Sequence, residues 1–272
     1  MNFISMAEIE GNLDKVIKLS SKLKKEKSSS RLEQKTLAMI FEKISTRTRV
    51  SFEVGMTQLG GHAIYLEPQS MQLKRGETIK DTAKTLSRYV DCIMVRAYRH
   101  EDVVELGKYA DVPVINGLTD LEHPCQALSD LFTIKEAKGG FDIKLAYVGD
   151  GNNVCNSLLL GASMVGMDMS VGCPKGHEPD GGIVKKAKKF SKKSGSKIEV
   201  VNNPKEAVSK ADVVYTDVWT SMGDEKEEKR RIKNFKGYQI NSKLLKGANG
   251  PLIMHCLPAK RGQEITDGVL DS

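Results

Sequence analysis

The chain is poor in the features that mark membrane, secreted and metal-scaffold proteins. No apolar run approaches the roughly 20 residues that cross a bilayer. Between Met1 and Lys27 there is no compact apolar segment ending in small residues, so nothing there reads as a secretory signal. Ile9, Leu13, Val16, Ile17 and Leu19 instead suggest a helix with its charges on the other side. The five cysteines, Cys92, Cys125, Cys155, Cys173 and Cys256, are scattered and form no C-x-x-C pair. That pattern excludes a disulfide framework or zinc motif and leaves room for one functional thiol. Aromatic residues make up only 6% of the chain, and none interleaves with its basic runs. A stacking platform for nucleic acid is therefore missing.

What remains is the composition of a globular protein, and with no secretory signal read in it the expected location is the cytoplasm. The 272 residues are 39% hydrophobic and 28% charged, enough for one large or two medium domains. The net charge of +7 is concentrated in Lys22 to Lys27, Lys185 to Lys193 and Lys226 to Arg231. Such runs read as solvated helix faces, and a positive balance also steers anionic substrates.

Strand and helix signals alternate throughout. Apolar runs at Leu37 to Phe41, Ala63 to Leu66, Cys92 to Val95 and Val112 to Asn116 predict strands in the first half. Lys144 to Val148, Met169 to Gly172, Ile198 to Val201, Val213 to Thr216 and Leu252 to Cys256 predict strands in the second. Helical patterns lie between them. The expected fold is α/β, with two domains that are each a mostly parallel sheet flanked by helices. The predicted joint is at Gly139-Gly140, giving domains 1–138 and 139–272 joined by a bridging helix.

Ser45-Thr46-Arg47-Thr48-Arg49 stands between the first strand and a predicted helix. Hydroxyls, two guanidinium groups and the unpaired N–H groups of a helix start converge there, a trap for a phosphate-like dianion. A simple N-cap needs only one side-chain oxygen, and this segment offers three. Ligands bind at the carboxyl ends of strands in open parallel sheets, and polar side chains recur there: Arg96, His123 with Gln126, Asn152 with Asn153, Asp217, and Cys256. Gly149-Asp150-Gly151-Asn152-Asn153-Val154 lacks the third small residue of a dinucleotide fingerprint, and the next strand ends without an acid, so nicotinamide binding is disfavoured.

Four motifs in order, Ser45-Thr46-Arg47-Thr48-Arg49, His123-Pro124-Cys125-Gln126, Asp217-Val218-Trp219-Thr220-Ser221-Met222-Gly223 and His255-Cys256-Leu257-Pro258, resemble those of the ornithine carbamoyltransferases. The likeness extends from about Leu37 to about Asp267. It implies a carbamoyl-phosphate-binding domain followed by an ornithine-binding domain. Ser45, Thr46, Arg47 and Thr48 would cradle the phosphate, and Arg96, His123 and Gln126 would surround the carbamoyl group. Gln72 would reach a neighbouring subunit's site, since the family forms trimers or multiples of them. Asn153, Asp217, Ser221 and Met222 would hold the amino-acid end of ornithine, and Cys256 and Leu257 would line the reacting centre. The implied reaction gives citrulline in arginine biosynthesis, with no metal or organic cofactor and with no nucleic-acid or membrane partner. Two departures stand out. Ile44 replaces the proline or small polar residue of many relatives, and nothing after Asp267 matches the family's terminal helix with its extra phosphate-contacting arginine. A carbamoyltransferase for another amine, and a silent ligand-binding subunit, remain open on the sequence alone.

Overall fold

The computed structural model describes residues 1–220 and 227–272. It divides into two compact units, Met1–Leu128 and Ser129–Ser272. The division falls inside the long helix α5 (Pro124–Lys138), whose far end is the predicted joint.

The first unit is a four-stranded sheet of β1 (Thr36–Phe41), β2 (His62–Leu66), β3 (Cys92–Arg96) and β4 (Val114–Leu118), ordered β2-β1-β3-β4 and parallel throughout. Parallel neighbours cannot be joined by hairpins, which is why α2 (Thr46–Gln58), α3 (Ile79–Leu86) and α4 (His100–Tyr109) intervene. Side chains alternate across a strand, so β1 feeds two cores at once. Leu37, Met39 and Phe41 pack with Met56 and Met94 on one face. Ala38 and Ile40 pack with Ile93, Val95, Val103, Leu106 and Val114 on the other. The amino-terminal helix α1 (Leu13–Glu26) buries Leu13 and Ile17, as predicted, but Leu19 is exposed. Glu122, itself buried, anchors the preceding turn by accepting the Met6 N–H at 3.0 Å.

The second unit is a five-stranded parallel sheet, β5 (Lys144–Val148), β6 (Asp168–Gly172), β7 (Ile198–Val201), β8 (Val213–Thr216) and β9 (Leu252–His255), ordered β7-β6-β5-β8-β9. Helix α6 (Asn153–Val165) buries every residue from Val154 to Ser163, the polar Asn156, Ser157 and Ser163 included, and packs against α7 (Gly181–Ser194). On α7, Ile183, Ala187 and Phe190 face inward and the lysines face solvent, the arrangement predicted for that run. Short helices α8 (Pro204–Val208), α9 (Glu228–Asn234), α10 (Ser242–Leu245) and α11 (Asp267–Leu270) complete the unit. None of the helices among the described residues is long and apolar enough to cross a membrane.

In both sheets the order of winding reverses between two adjacent, hydrogen-bonded central strands. The reversal lies between β1 and β3 in the first unit and between β5 and β8 in the second. Such switch points open a crevice at the carboxyl ends of the two strands. The register therefore decides which side chains meet, and the sheet's stability decides whether they stay together. Ile93, fully buried on the central strand β3, tests this. Ile93→Ala is expected to cost about 2–5 kcal/mol of stability, read as a lower urea midpoint for unfolding.

Candidate active site

At the first switch point β1 ends at Phe41, in register with Arg96 at the end of β3. The chain then turns through Ser45 into α2. Ser45 is extended (φ −161°, ψ 116°), and its Oγ accepts the Thr48 N–H at 3.2 Å, capping the helix. The same hydroxyl donates to Thr48 Oγ1 at 3.0 Å, and Arg96 Nη1 donates to that oxygen at 3.2 Å. Thr48 Oγ1 thus receives two donors, so its own proton is directed elsewhere. The preceding N–H groups of Thr46 and Arg47 lie in the first turn, where helices have no internal acceptors. Both side chains are exposed, while Arg96 is buried.

Arg49 departs from the expected convergence. Its guanidinium pairs with Glu53 (Nε–Oε1 2.9 Å) and lies 3.9 Å from the centre of the Tyr65 ring. Residues two apart on a helix point about 200° apart, so Arg47 and Arg49 cannot face one ligand. The apolar residues of α2 make no buried stripe, since Val50 and Val54 are exposed and only Met56 is buried. Val50, Phe52, Val54 and Met56 recur every two positions, which is a strand period rather than a helical one.

His123 and Gln126 open α5 beyond β4. Burial, with the nearby Arg96 charge adding to it, pushes the His123 pKa down to about 3. The ring is therefore neutral at physiological pH and can donate one N–H. Cys125, between them, bonds the Asn116 carbonyl at 3.4 Å, and burial pushes its thiol up to about 12. It is a packed structural residue. Gln72 sits, exposed, at the start of a 3-10 turn over Gln72–Arg75. A cavity of 760 Å³ in this unit, lined by Ile44, Tyr65, Glu67, Leu73, Tyr98 and Arg99 among others, touches none of the expected ligands.

At the second switch point three adjacent strand ends contribute. Asn152, after β5, caps α6. Its Oδ1 accepts from Val154 N (3.0 Å), Cys155 N (3.2 Å) and Tyr147 Oη (3.2 Å). Its Nδ2 donates to Asp217 Oδ2 at 2.7 Å, just past β8. Asp217 Oδ1 accepts the Val218 N–H at 2.8 Å and the Cys256 thiol, just past β9, at 2.9 Å. Burial and the Asp217 charge raise the Cys256 pKa well above its ordinary value, so it stays a thiol and a donor. Asn153 begins α6, half-buried beside the cap. Leu257 is exposed, with φ 58°. Ser221 and Met222 lie outside the described residues.

Asp217, His255 and Cys256 hold their ligating atoms within 4.8 Å of one another, the dimensions of a metal cluster. Their polar atoms are engaged in hydrogen bonds. Cys256 donates to Asp217, while His255 uses one ring nitrogen on Glu264 (3.2 Å) and the other on Leu257 N–H (2.8 Å). Both His255 ring nitrogens and the Cys256 thiol are thus engaged in hydrogen bonds within the protein.

Residues 1–136 match the carbamoyl-phosphate-binding domain of the aspartate/ornithine carbamoyltransferases, and residues 141–272 match their aspartate/ornithine-binding domain. The chain is a member of the aspartate/ornithine carbamoyltransferase family. An ornithine carbamoyltransferase of Methanobrevibacter smithii is 56% identical over 99% of this chain and 91% of its own length. One from Methanothermobacter thermautotrophicus is 61% identical over 88% of this chain and 80% of its own. The solved ornithine carbamoyltransferase of Pyrococcus furiosus superposes with a TM-score of 0.93 at 51% identity, covering 100% of this chain and 89% of that one.

Within this carbamoyltransferase, Tyr147, Asp150 and Arg231 were not foreseen from sequence. Arg231 ties Asp150 in the Gly149 turn to the Trp219 carbonyl, and its only sequence signal was a place in a basic run. Tyr147 signals itself as the one aromatic in β5, but nothing local shows that it holds Asn152.

The depressed His123 pKa gives a measurable sign. Between about pH 6.5 and 3 the unfolded chain binds a proton that the folded chain refuses, so stability falls as pH falls through that window. The loss is at most about 1.4 kcal/mol per pH unit, and above pH 6.5 the residue contributes none. Urea unfolding of His123→Gln at pH 6.5 and 4.5 is expected to show a smaller pH difference than the parent.

Proposed function

We propose that this protein transfers the carbamoyl group of carbamoyl phosphate to the side-chain amine of L-ornithine, giving L-citrulline and phosphate. The observation that carries the reading is the linked set Asn152, Asp217 and Cys256 at three adjacent strand ends, in the part of the chain that matches an aspartate/ornithine-binding domain. A carboxylate offers about four acceptor sites, and Asp217 has three filled among the described residues. The fourth is available to a substrate ammonium, a charge-assisted bond that suits an amino acid.

Residues 1–138 then bind carbamoyl phosphate and 139–272 bind ornithine. Ser45, Thr46, Arg47 and Thr48 hold the phosphate at the α2 start, where the helix dipole favours an anion. As the amine attacks, charge develops on the carbonyl oxygen. Arg96, neutral His123 and the outward proton of Thr48 are donors of the kind that stabilises it, and Gln126 orients the carbamoyl group. The attacking amine must be neutral. Burial favours that form, and a protonated Cys256 beside it adds a polar contact without trapping an ammonium. Asn153, Ser221, Met222 and Leu257 complete the ornithine pocket. The step breaks a mixed anhydride and forms a ureido group, which needs neither metal nor redox cofactor and runs downhill toward citrulline. That direction suits arginine biosynthesis in the cytoplasm.

Subunit association belongs to the same proposal. Gln72 is exposed, and so are Ile44, Val50, Val54 and Tyr98, an unusual concentration of apolar side chains on one unit. A second copy would cover them and receive Gln72 in its site, giving a homotrimer or a multiple of one.

Two measurements test this. Arg96→Ala is expected to lower citrulline formation about 10²–10³-fold, while the parent prefers ornithine over acetylornithine and putrescine; a parent without citrulline formation sinks the proposal. Light scattering on the eluting protein is expected to give a multiple of three chains, and a stable monomer rules the assembly out.

A further inference from the structure

Glu264 is an acid with no exposed surface, and it lies outside every role assigned above. Its Oε1 faces His255 Nε2 at 3.2 Å and accepts the Lys260 N–H at 2.5 Å. Its backbone is fixed as well, because its carbonyl accepts the Ile240 N–H at 2.8 Å and Ile265 beside it is fully buried. The His255 side chain is 2% exposed. Its Nδ1 lies 2.8 Å from the Leu257 N–H.

A backbone N–H can only donate, so Nδ1 must be the acceptor and the ring proton must sit on Nε2. That proton points at Glu264. The carboxylate therefore selects the tautomer, and the tautomer makes Nδ1 available to hold Leu257. Leu257 has φ 58°, a conformation that costs a non-glycine residue energy and persists only when its surroundings impose it. The residue between, Cys256, has its thiol aimed at Asp217 by the same turn.

We propose that Glu264 is a positioning residue for the reaction: through His255 it fixes the Cys256-Leu257 turn against Asp217. This rests on the reading that Cys256 and Leu257 face the reacting amine. The chain of contacts predicts an asymmetric result. Small displacements at a reacting centre cost about 10²-fold in rate, and here they fall on ornithine alone, since carbamoyl phosphate is assigned to the other unit.

The experiment compares Glu264→Ala, Glu264→Gln, His255→Asn and His255→Gln with the parent in full steady-state kinetics, each checked for folding by circular dichroism. Glu264→Ala is expected to lower kcat/KM for ornithine about 10²-fold with KM for carbamoyl phosphate unchanged. Glu264→Gln keeps an acceptor for both Nε2–H and Lys260 N–H and is expected to recover most of that loss. His255→Asn, whose Oδ1 replaces Nδ1 as acceptor for Leu257 N–H, is expected to outperform His255→Gln. Nitrogen NMR of histidine-labelled protein is expected to show His255 protonated at Nε2 only. A folded Glu264→Ala with parental ornithine kinetics overturns the proposal, as does a proton on Nδ1. Cys256→Ser run alongside separates the two readings. If it also leaves ornithine kinetics unchanged, the reacting-centre assignment fails; if it alone impairs them, only the role of Glu264 fails.

Discussion

Asn152 Oδ1 takes three hydrogen bonds, from two N–H groups at the start of α6 and from the hydroxyl of Tyr147. With its oxygen committed, the amide nitrogen has one direction left, and it points at Asp217. The first unit solves the same problem with Ser45, whose oxygen satisfies the α2 start while its proton goes to Thr48. A helix that begins directly after a parallel strand leaves donors that need acceptors. In both units the residue that meets this need also orients the polar group beside it. Capping and the orientation of the neighbouring polar group are therefore one arrangement, and neither Ser45 nor Asn152 can be exchanged for a better cap without disturbing its neighbour.

The two units reach this arrangement from opposite electrostatic starting points. The first gathers cationic and neutral donors, Arg96, His123 and the helix start, and burial keeps His123 uncharged so that it does not compete with Arg96. The second gathers a carboxylate and surrounds it with donors, Asn152, Val218 N–H and Cys256. One side suits an anion and the other an amine. The packing behind each is a doubly covered parallel sheet, which fixes the strand ends at a common level.

The strands were legible because buried parallel strands read as short apolar runs, and all nine were located to within about two residues. Helices α8, α10 and α11 were not, since four or five residues carry too little periodicity to register. The strand-end positions of Arg96, Asp217 and Cys256 were legible because each lies at the end of an apolar run or just past it. Arg49 misled because adjacency in sequence is not adjacency on a helix. Glu264 gave no signal at all: its partner His255 is nine positions away across an irregular turn, and only the folded turn brings them together.

Cys256 is held as a thiol by burial and by the carboxylate it donates to. Thiolate, not thiol, attacks alkylating agents and peroxides. A cysteine at this position therefore offers polarity and softness with little of a thiolate's reactivity. The same carboxylate that accepts the thiol's hydrogen bond thus disfavours the form that oxidants attack.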